Sequence, residues 1–264
     1  MRAAGSVFAE DEAALLVSSA HGPEALASMV ARRVAGEPVE AIVGWASFCG
    51  LRIVVAPGVF VPRRRTELLV AEALRIVRHE KHRNPRPCGA PRDGLSVVVE
   101  LCCGSAAVGA AILDGAGTPV GALEVHVADV DPRATACARQ NIGRRGRVHT
   151  GDLCDALPAD LRGRVDVLVA NAPYVPTAEI AMMPPEARDH EPRVALDGGT
   201  DGLDVQRLII DRAFEWLAPG GHLLVETSRR QAAGTVAACA EAGLVTRVVT
   251  DDDLDATAVV GRRP

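Results

Sequence analysis

The chain has 264 residues, 48% hydrophobic and 24% charged, with 29 basic against 34 acidic side chains and a formal net charge of -5. This describes a globular chain with room for one large domain and a small one, and the acidic balance argues against a protein whose main work is holding nucleic-acid backbone. The seven cysteines include no CxxC pair, no basic start leads into an apolar run, and no charge-free apolar run of about 18 residues occurs, so a disulfide scaffold, a zinc ribbon, a cleaved secretory signal and a membrane partner are disfavoured and a cytoplasmic location is expected.

Ala13, Leu16 and Val17, then Leu26, Val30 and Val34, recur three and four apart on either side of His21-Gly22-Pro23, which predicts two short helices joined by a turn over residues 9 to 35. Residues 51 to 61 carry β-branched and alternating positions broken by Pro57-Gly58, the pattern of a β-hairpin. From Thr66 to Val77 the spacing is helical, with Glu67 in the first turn where it complements the helix dipole. The Pro- and Arg-rich stretch from His79 to Asp93 reads as a linker. Three regions result: a small helical docking part over 1–45, a hairpin, helix and linker over 46–93, and a large domain over 94–264.

After Gly94 short apolar runs alternate with helical patterns, the signature of βαβ units and an α/β fold with a parallel sheet buried on both faces. The runs are Ser96 to Leu101, Glu124 to Asp129, Val165 to Ala170, His222 to Glu226, Leu244 to Val249 and Ala256 to Val260. Asp131 can cap a helix with Pro132 in its first position. Another helix, Asp204 to Leu217, would turn Val205, Leu208, Ile209, Ala213 and Trp216 inward and stop at Pro219-Gly220-Gly221; a third spans Arg229 to Ala242. The last two strands are close enough to pair as an antiparallel hairpin, which makes the final strand the antiparallel one.

In such sheets a ligand lies beyond the carboxyl ends of the strands. Glu100-Leu101-Cys102-Cys103-Gly104-Ser105-Ala106 ends the first large-domain strand in a small-residue turn where backbone can come close to a ligand. Asp129 ends the second and can accept from ribose hydroxyls; Asp152, before Leu153, can accept from an adenine amino group. The features suit a nucleoside-bearing ligand, and because the turn lacks the glycine spacing that cradles a pyrophosphate, NAD is the lesser candidate. Val165 to Ala170 runs into Asn171-Ala172-Pro173-Tyr174, which holds the only tyrosine. The Asn171 side-chain oxygen and the Ala172 carbonyl can accept both hydrogens of one planar NH2, while Pro173 stiffens the turn and Tyr174 packs on the substrate. An amide or aromatic amine is a poor nucleophile because its lone pair is delocalised, and such a fork orients it and favours charge build-up as it attacks.

Asn171-Ala172-Pro173-Tyr174 resembles the N-P-P-Y motif of class I S-adenosylmethionine-dependent amino-methyltransferases. More narrowly, the chain is similar from about Val39 to Arg263 to the HemK/PrmC family of protein-glutamine N5-methyltransferases, which modify the Gly-Gly-Gln motif of peptide-chain release factors. The likeness includes Pro62-Arg63-Arg64-Arg65-Thr66-Glu67, Glu191-Pro192-Arg193 through Gly199, Asp201-Gly202-Leu203, and Gly220-Gly221 followed by Glu226 and Gln231. The resemblance implies the Rossmann-like class I methyltransferase fold, S-adenosylmethionine as cofactor and a release factor as protein partner of a monomeric enzyme. It places Glu100, Cys102, Cys103, Gly104, Ser105 and Ala106 at the methionine part of the cofactor, Asp129 at the ribose, and Asp152 and Leu153 at the adenine. It puts Asn171 to Tyr174 at the target amide, joined on the substrate side by Arg63, Thr66, Glu67 and Glu191. The chain departs from the family at Cys102 and Ala106, where glycine is usual, at Ala172, where proline is usual, and in a shorter helical region before Val39.

Other clusters have plainer readings. His79-Glu80-Lys81-His82 sits among linker-like residues, so no metal site is expected. Cys102 and Cys103 fit as small packed fillers. Arg63-Arg64-Arg65 is a solvated turn or a steering patch for an acidic protein or RNA. His190 and Glu191 belong to a surface loop or a lid. A nucleic-acid base or a small-molecule amide presents the same NH2 fork as glutamine, but the charge and the scarcity of aromatics count against the nucleic acid.

Overall fold

A computed structural model of the chain describes residues 8–83, 95–115 and 123–264, with the backbone alone over 79–83. Helices α1 (Ala9–Ser19) and α2 (Pro23–Val34) meet at Gly22, which caps α2 with φ 108° before Pro23 in its first turn. A third short helix, α3 (Val39–Val43), completes a small apolar cluster of Leu16, Val39 and Ile42 with Leu26, Met29 and Val30 packed against it. The seam is narrow, and Val17 stays 61% exposed although the spacing puts it on the apolar stripe. Arg33 ties α2 to Glu12 at 2.8 Å and to Glu186, on the short helix α7 (Pro185–His190), at 3.2 Å.

The hairpin lies upstream of the expected position. Strands β1 (Trp45–Phe48) and β2 (Leu51–Val54) pair antiparallel with Phe48 opposite Leu51, so the turn is Cys49-Gly50, with φ 49° and 75° at the two positions. Positive φ at both central residues matches strand twist in a two-residue turn. Pro57-Gly58 instead forms a turn in which the Val59 N–H donates to the Ala56 carbonyl at 3.1 Å, with Gly58 at φ 73°, the geometry expected of proline followed by glycine. No return strand follows; the chain passes through Val59 to Arg63 towards the sheet. Helix α4 (Glu67–Arg83) carries the backbone of 79–83 into the segment expected as linker, whose remainder, 84–93, lies outside the described residues.

The sheet strands are β3 (Ser96–Leu101), β4 (Leu123–Asp129), β5 (Arg147–Thr150), β6 (Val165–Ala170), β7 (Leu217–Glu226), β8 (Val245–Asp251) and β9 (Ala256–Arg262). Among the described residues they form one sheet in the order β5-β4-β3-β6-β7-β9-β8, in which β9 alone runs antiparallel to its neighbours. Alternate residues feed two cores. Val98, Val127, Val167 and Leu224 face one cluster, packed with α4 and α5 (Ala107–Gly115), whereas Val97, Val99, Leu168 and Leu223 face the other, packed with α8 (Asp204–Trp216). That two-sided burial is why the strands read as unbroken apolar runs.

Two helix boundaries and one orientation differ from expectation. Helix α8 ends at Trp216, and β7 begins at once with Pro219-Gly220-Gly221 inside it, where the register with β6 shifts between Val165 and Val167. A side chain at Gly221 would sit 2.6 Å from the Val165 carbonyl, so this is a close strand approach and not a helix stop. Leu208 points outward and is 57% exposed. Helix α9 (Ala232–Glu241) starts three residues later than expected.

Helix α6 (Pro132–Ile142) follows β4 and starts as expected: Asp131 Oδ1 accepts from the Arg133 N–H at 2.8 Å. Asp131→Ala should lower the unfolding free energy by about 1 kcal/mol in a urea titration, and Asp131→Asn by much less.

Candidate active site

The order of strands reverses at β3, with β4 on one side and β6 on the other, and ligands in open α/β sheets bind outside the carboxyl ends at such a point. A cavity of about 510 Å³ occupies that place, within the range of small-molecule sites. Its walls bring together Glu100, Cys102, Cys103, Gly104, Ser105, Asp129, Asp152, Leu153 and Asn171 to Tyr174 from the sheet, and Arg63, Thr66 and Glu191 from outside it. Two candidates stand elsewhere. Ala106 is fully buried in an apolar core, and Glu67 uses its carboxylate to accept the Cys49 N–H of the hairpin turn at 3.1 Å.

The β3 turn is built on left-handed backbone at alternate residues: Cys102 at φ 51°, Gly104 at 53° and Ala106 at 60°. Side chains are disfavoured there by about 1–2 kcal/mol each, which gives a physical reason why glycine suits positions 102 and 106. Asp129 fastens the turn to β4, its Oδ2 accepting from the Gly104 N–H at 2.8 Å and its Oδ1 from the Asp131 N–H at 2.9 Å. Glu100 accepts from the Gly109 N–H at 2.8 Å, and a side chain at Gly109 would collide with that carboxylate. Burial pushes the Glu100 carboxyl up to about 8 against the backbone donors that oppose it; burial raises Asp129 too. The Ser105 hydroxyl is buried without a partner. Carboxyls that burial holds back from ionising and an idle hydroxyl beside a cavity suit a cationic ligand rich in hydroxyls, which would favour the ionised carboxylates.

At the end of β6 the Asn171 Nδ2 donates to Thr66 Oγ1 at 3.1 Å, which leaves Oδ1 as its acceptor. The Tyr174 hydroxyl donates to Glu226 Oε1 at 3.3 Å, and burial raises the phenol to about 12. The glycine motif after Glu191 clamps this turn. Gly198 N–H donates to the Val175 carbonyl at 2.9 Å, and a side chain at Gly198 would lie 2.7 Å from the Pro173 carbonyl. One at Gly202 would lie 2.3 Å from both the Tyr174 carbonyl and Gln231 Nε2, which itself donates to that carbonyl at 2.9 Å. Glu191 is held by Arg63 at 2.5 Å and by the Val61 N–H at 3.3 Å; burial raises its carboxyl, and its Oε2 has no partner.

No family model matches the chain. It is 36% identical over 247 residues to the release factor glutamine methyltransferase of Geobacter sulfurreducens, covering 91% of this chain and 79% of that protein. The chain belongs to the release factor glutamine methyltransferase family. It is also 36% identical over 209 residues to the 4-amino-L-phenylalanine/4-methylamino-L-phenylalanine methyltransferase of Streptomyces pristinaespiralis, covering 79% of this chain and 67% of that protein. Its fold matches that of a methyltransferase from Pyrococcus furiosus with a TM-score of 0.54 at 16% identity, over 90% of this chain and 98% of that one. The sheet is the Rossmann-like class I methyltransferase fold.

In this family member, sequence reasoning passed over the apolar rim. Phe60, Val130, Val194 and Leu208 line the cavity, and the last three are exposed at its mouth. They sit on a turn, a loop, a short 3-10 helix and the outer face of α8, so no periodicity links them; an exposed valine beside Asp129 was the available signal. Among the described residues no group of three or more His, Cys, Asp or Glu could hold a metal, and no helix is long and apolar enough to cross a membrane. The side chains of His79 to His82 lie outside the described residues.

Two outcomes follow from this geometry. Glu100 binds its proton more tightly in the folded chain, at about 8, than at its ordinary 4.5, so its stabilising contribution is complete below about pH 4.5 and is lost as pH rises through 8. Buried His126 and half-buried His149 and His222 are shifted down and act in the opposite sense, so the comparison is by difference. The stability of Glu100→Gln relative to the parent should rise steadily from pH 5 to pH 8 in denaturant titrations. Gly202→Ala should displace the Pro173-Tyr174 backbone and lower methyl-transfer turnover by about 10-fold or more, while cofactor affinity measured by calorimetry changes little.

Proposed function

We propose that the chain transfers the methyl group of S-adenosylmethionine to the side-chain amide nitrogen of the glutamine in the Gly-Gly-Gln motif of peptide chain release factors, in the cytoplasm. The observation that carries this reading is the fixed Asn171 amide at the end of β6. With Nδ2 engaged by Thr66, Asn171 keeps Oδ1 as an acceptor, and Asn171 and Ala172 line the same cavity as Glu100, Asp129 and Asp152. The family supports the same acceptor: the Geobacter relative is named for the glutamine of a release factor.

The cofactor's residues would be the β3 turn and Glu100 at the methionine part, Asp129 at the ribose, and Asp152 with Leu153 at the adenine. When bound, the sulfonium supplies a methyl group already activated for transfer. What remains for the protein is alignment. Asn171 and Ala172 hold the two amide hydrogens and so set the direction of the nitrogen lone pair, and their partial negative charges stabilise the positive charge that nitrogen develops on attack. Tyr174, protonated and anchored to Glu226, walls the target. The apolar rim excludes water once the substrate is seated.

A second reading, methylation of a small aromatic amine, is favoured by the likeness to the Streptomyces pristinaespiralis enzyme and by the apolar mouth formed by Val130, Val194 and Leu208. A flat aryl NH2 fits the same fork. Incubation with labelled S-adenosylmethionine and, in parallel, a release factor and 4-aminophenylalanine separates the two. We expect one methyl on the Gly-Gly-Gln glutamine by peptide mass spectrometry, and label on the amine alone overturns the first reading. Asn171→Ala should lower turnover by about 100-fold with cofactor affinity changed less than about threefold; transfer at the parent rate would remove Asn171 from its role.

A further inference from the structure

An asparagine amide can be turned over at almost no steric cost, because oxygen and NH2 are nearly the same size. Turned over, Asn171 would present hydrogens to an NH2 target and repel it. Something must set its polarity. Thr66, at the end of the short 3-10 helix Arg64–Thr66 that precedes α4, is 4% exposed and lines the cavity. Its Oγ1 is 3.1 Å from Asn171 Nδ2. A threonine hydroxyl has one hydrogen to give, and the acceptor for it is nearby. Burial raises the Glu226 carboxyl, and the Thr66 and Tyr174 hydroxyls oppose that shift by favouring the ionised form. The Tyr174 hydroxyl occupies Oε1 at 3.3 Å, while Oε2 is buried without a partner. A Thr66 hydrogen turned towards this carboxylate, whose Oε2 is otherwise idle, would leave only lone pairs facing Asn171. The opposite amide orientation would set Oδ1 against Oγ1, oxygen to oxygen in a buried place, and so be disfavoured.

We infer that Thr66 is a positioning residue: held by Glu226, it fixes the polarity of the Asn171 amide so that Oδ1, and not Nδ2, faces the target nitrogen. The inference rests on the acceptor role of Asn171 proposed above. Glu226 thereby organises both ends of the substrate turn, Asn171 through Thr66 and Tyr174 directly, from a strand that contributes nothing to the cavity wall.

The test uses the full chain as parent, Thr66→Val, Thr66→Ser, Asn171→Ala and the double variant Thr66→Val/Asn171→Ala, with labelled S-adenosylmethionine and a release factor. Thr66→Val should lower kcat by about 10- to 100-fold with the KM for S-adenosylmethionine within about twofold, and Thr66→Ser should restore most of the loss. In the Asn171→Ala background Thr66→Val should add nothing, since no amide is left to orient. Hydrogen exchange of the Asn171 side-chain NH2, assigned by NMR from its absence in Asn171→Ala and read without any methyl acceptor, should be slow in the parent and in Thr66→Ser and about tenfold faster in Thr66→Val. A parent inert towards the release factor sinks the proposed substrate and leaves the exchange measurement to decide this inference. Unchanged exchange in Thr66→Val, equal losses in the valine and serine variants, or losses that add to those of Asn171→Ala would overturn it as ordinary packing.

Discussion

The hydrogen bond between Asn171 Nδ2 and Thr66 Oγ1 joins two parts of the chain 105 residues apart, and the acceptor role proposed for Asn171 depends on it. A methyltransferase acting on an amide has little bond-making work for its side chains, because the donor carries its own activation. The difficulty is a flat nitrogen whose lone pair is shared with a carbonyl. Two acceptors at the tip of β6 meet that difficulty only if they are fixed in place and in polarity. The fold supplies the first through parallel pairing of β6 with both β3 and β7. The second comes from the segment after the hairpin, which brings Arg63 to Thr66 over the carboxyl end of the sheet.

The glycine motif between Glu191 and α8 has its account in the same terms. Gly198 and Gly202 let one loop lie directly on the carbonyls of Pro173 and Tyr174, where any side chain would push the turn away. Glu191, tied to Arg63 and the Val61 N–H, closes the same circuit from the other side. The residues on the substrate side are therefore mutually braced, and the buried carboxylates among them carry raised affinities for protons because burial outweighs their partners.

Much of this was legible in the residues. The runs Val97-Val98-Val99 and Val167-Leu168-Val169 announce strands buried on both faces, and Asp131-Pro132 announces a helix start, because each signal is local. Asn171 to Tyr174 is legible as well, since a strand tip, a flexible acceptor and a stiffening proline stand side by side. The errors have physical causes. Pro57-Gly58 is a strong turn signal, but a turn needs a second strand to make a hairpin, and the quieter Cys49-Gly50 had one on each side. Leu208 falls on the apolar stripe of α8 yet lines the cavity and stays exposed. Ala106 and Glu67 belong to motifs that reach the site through their neighbours, and only tertiary placement separates a motif's wall residues from its braces. Thr66 and Glu226 came with the resemblance, but Asn171, Thr66 and Glu226 lie on three distant segments, and their meeting leaves no pattern in sequence.

Asn171 Oδ1 and the Ala172 carbonyl are proposed to hold a planar nitrogen together. A crystal structure of the chain with S-adenosylhomocysteine and a Gly-Gly-Gln peptide from a release factor tests this. The glutamine nitrogen should lie within about 2.7–3.2 Å of both oxygens, with Asn171 Nδ2 on Thr66. A glutamine side chain seated elsewhere in the cavity, or one meeting Asn171 through Nδ2, would contradict it.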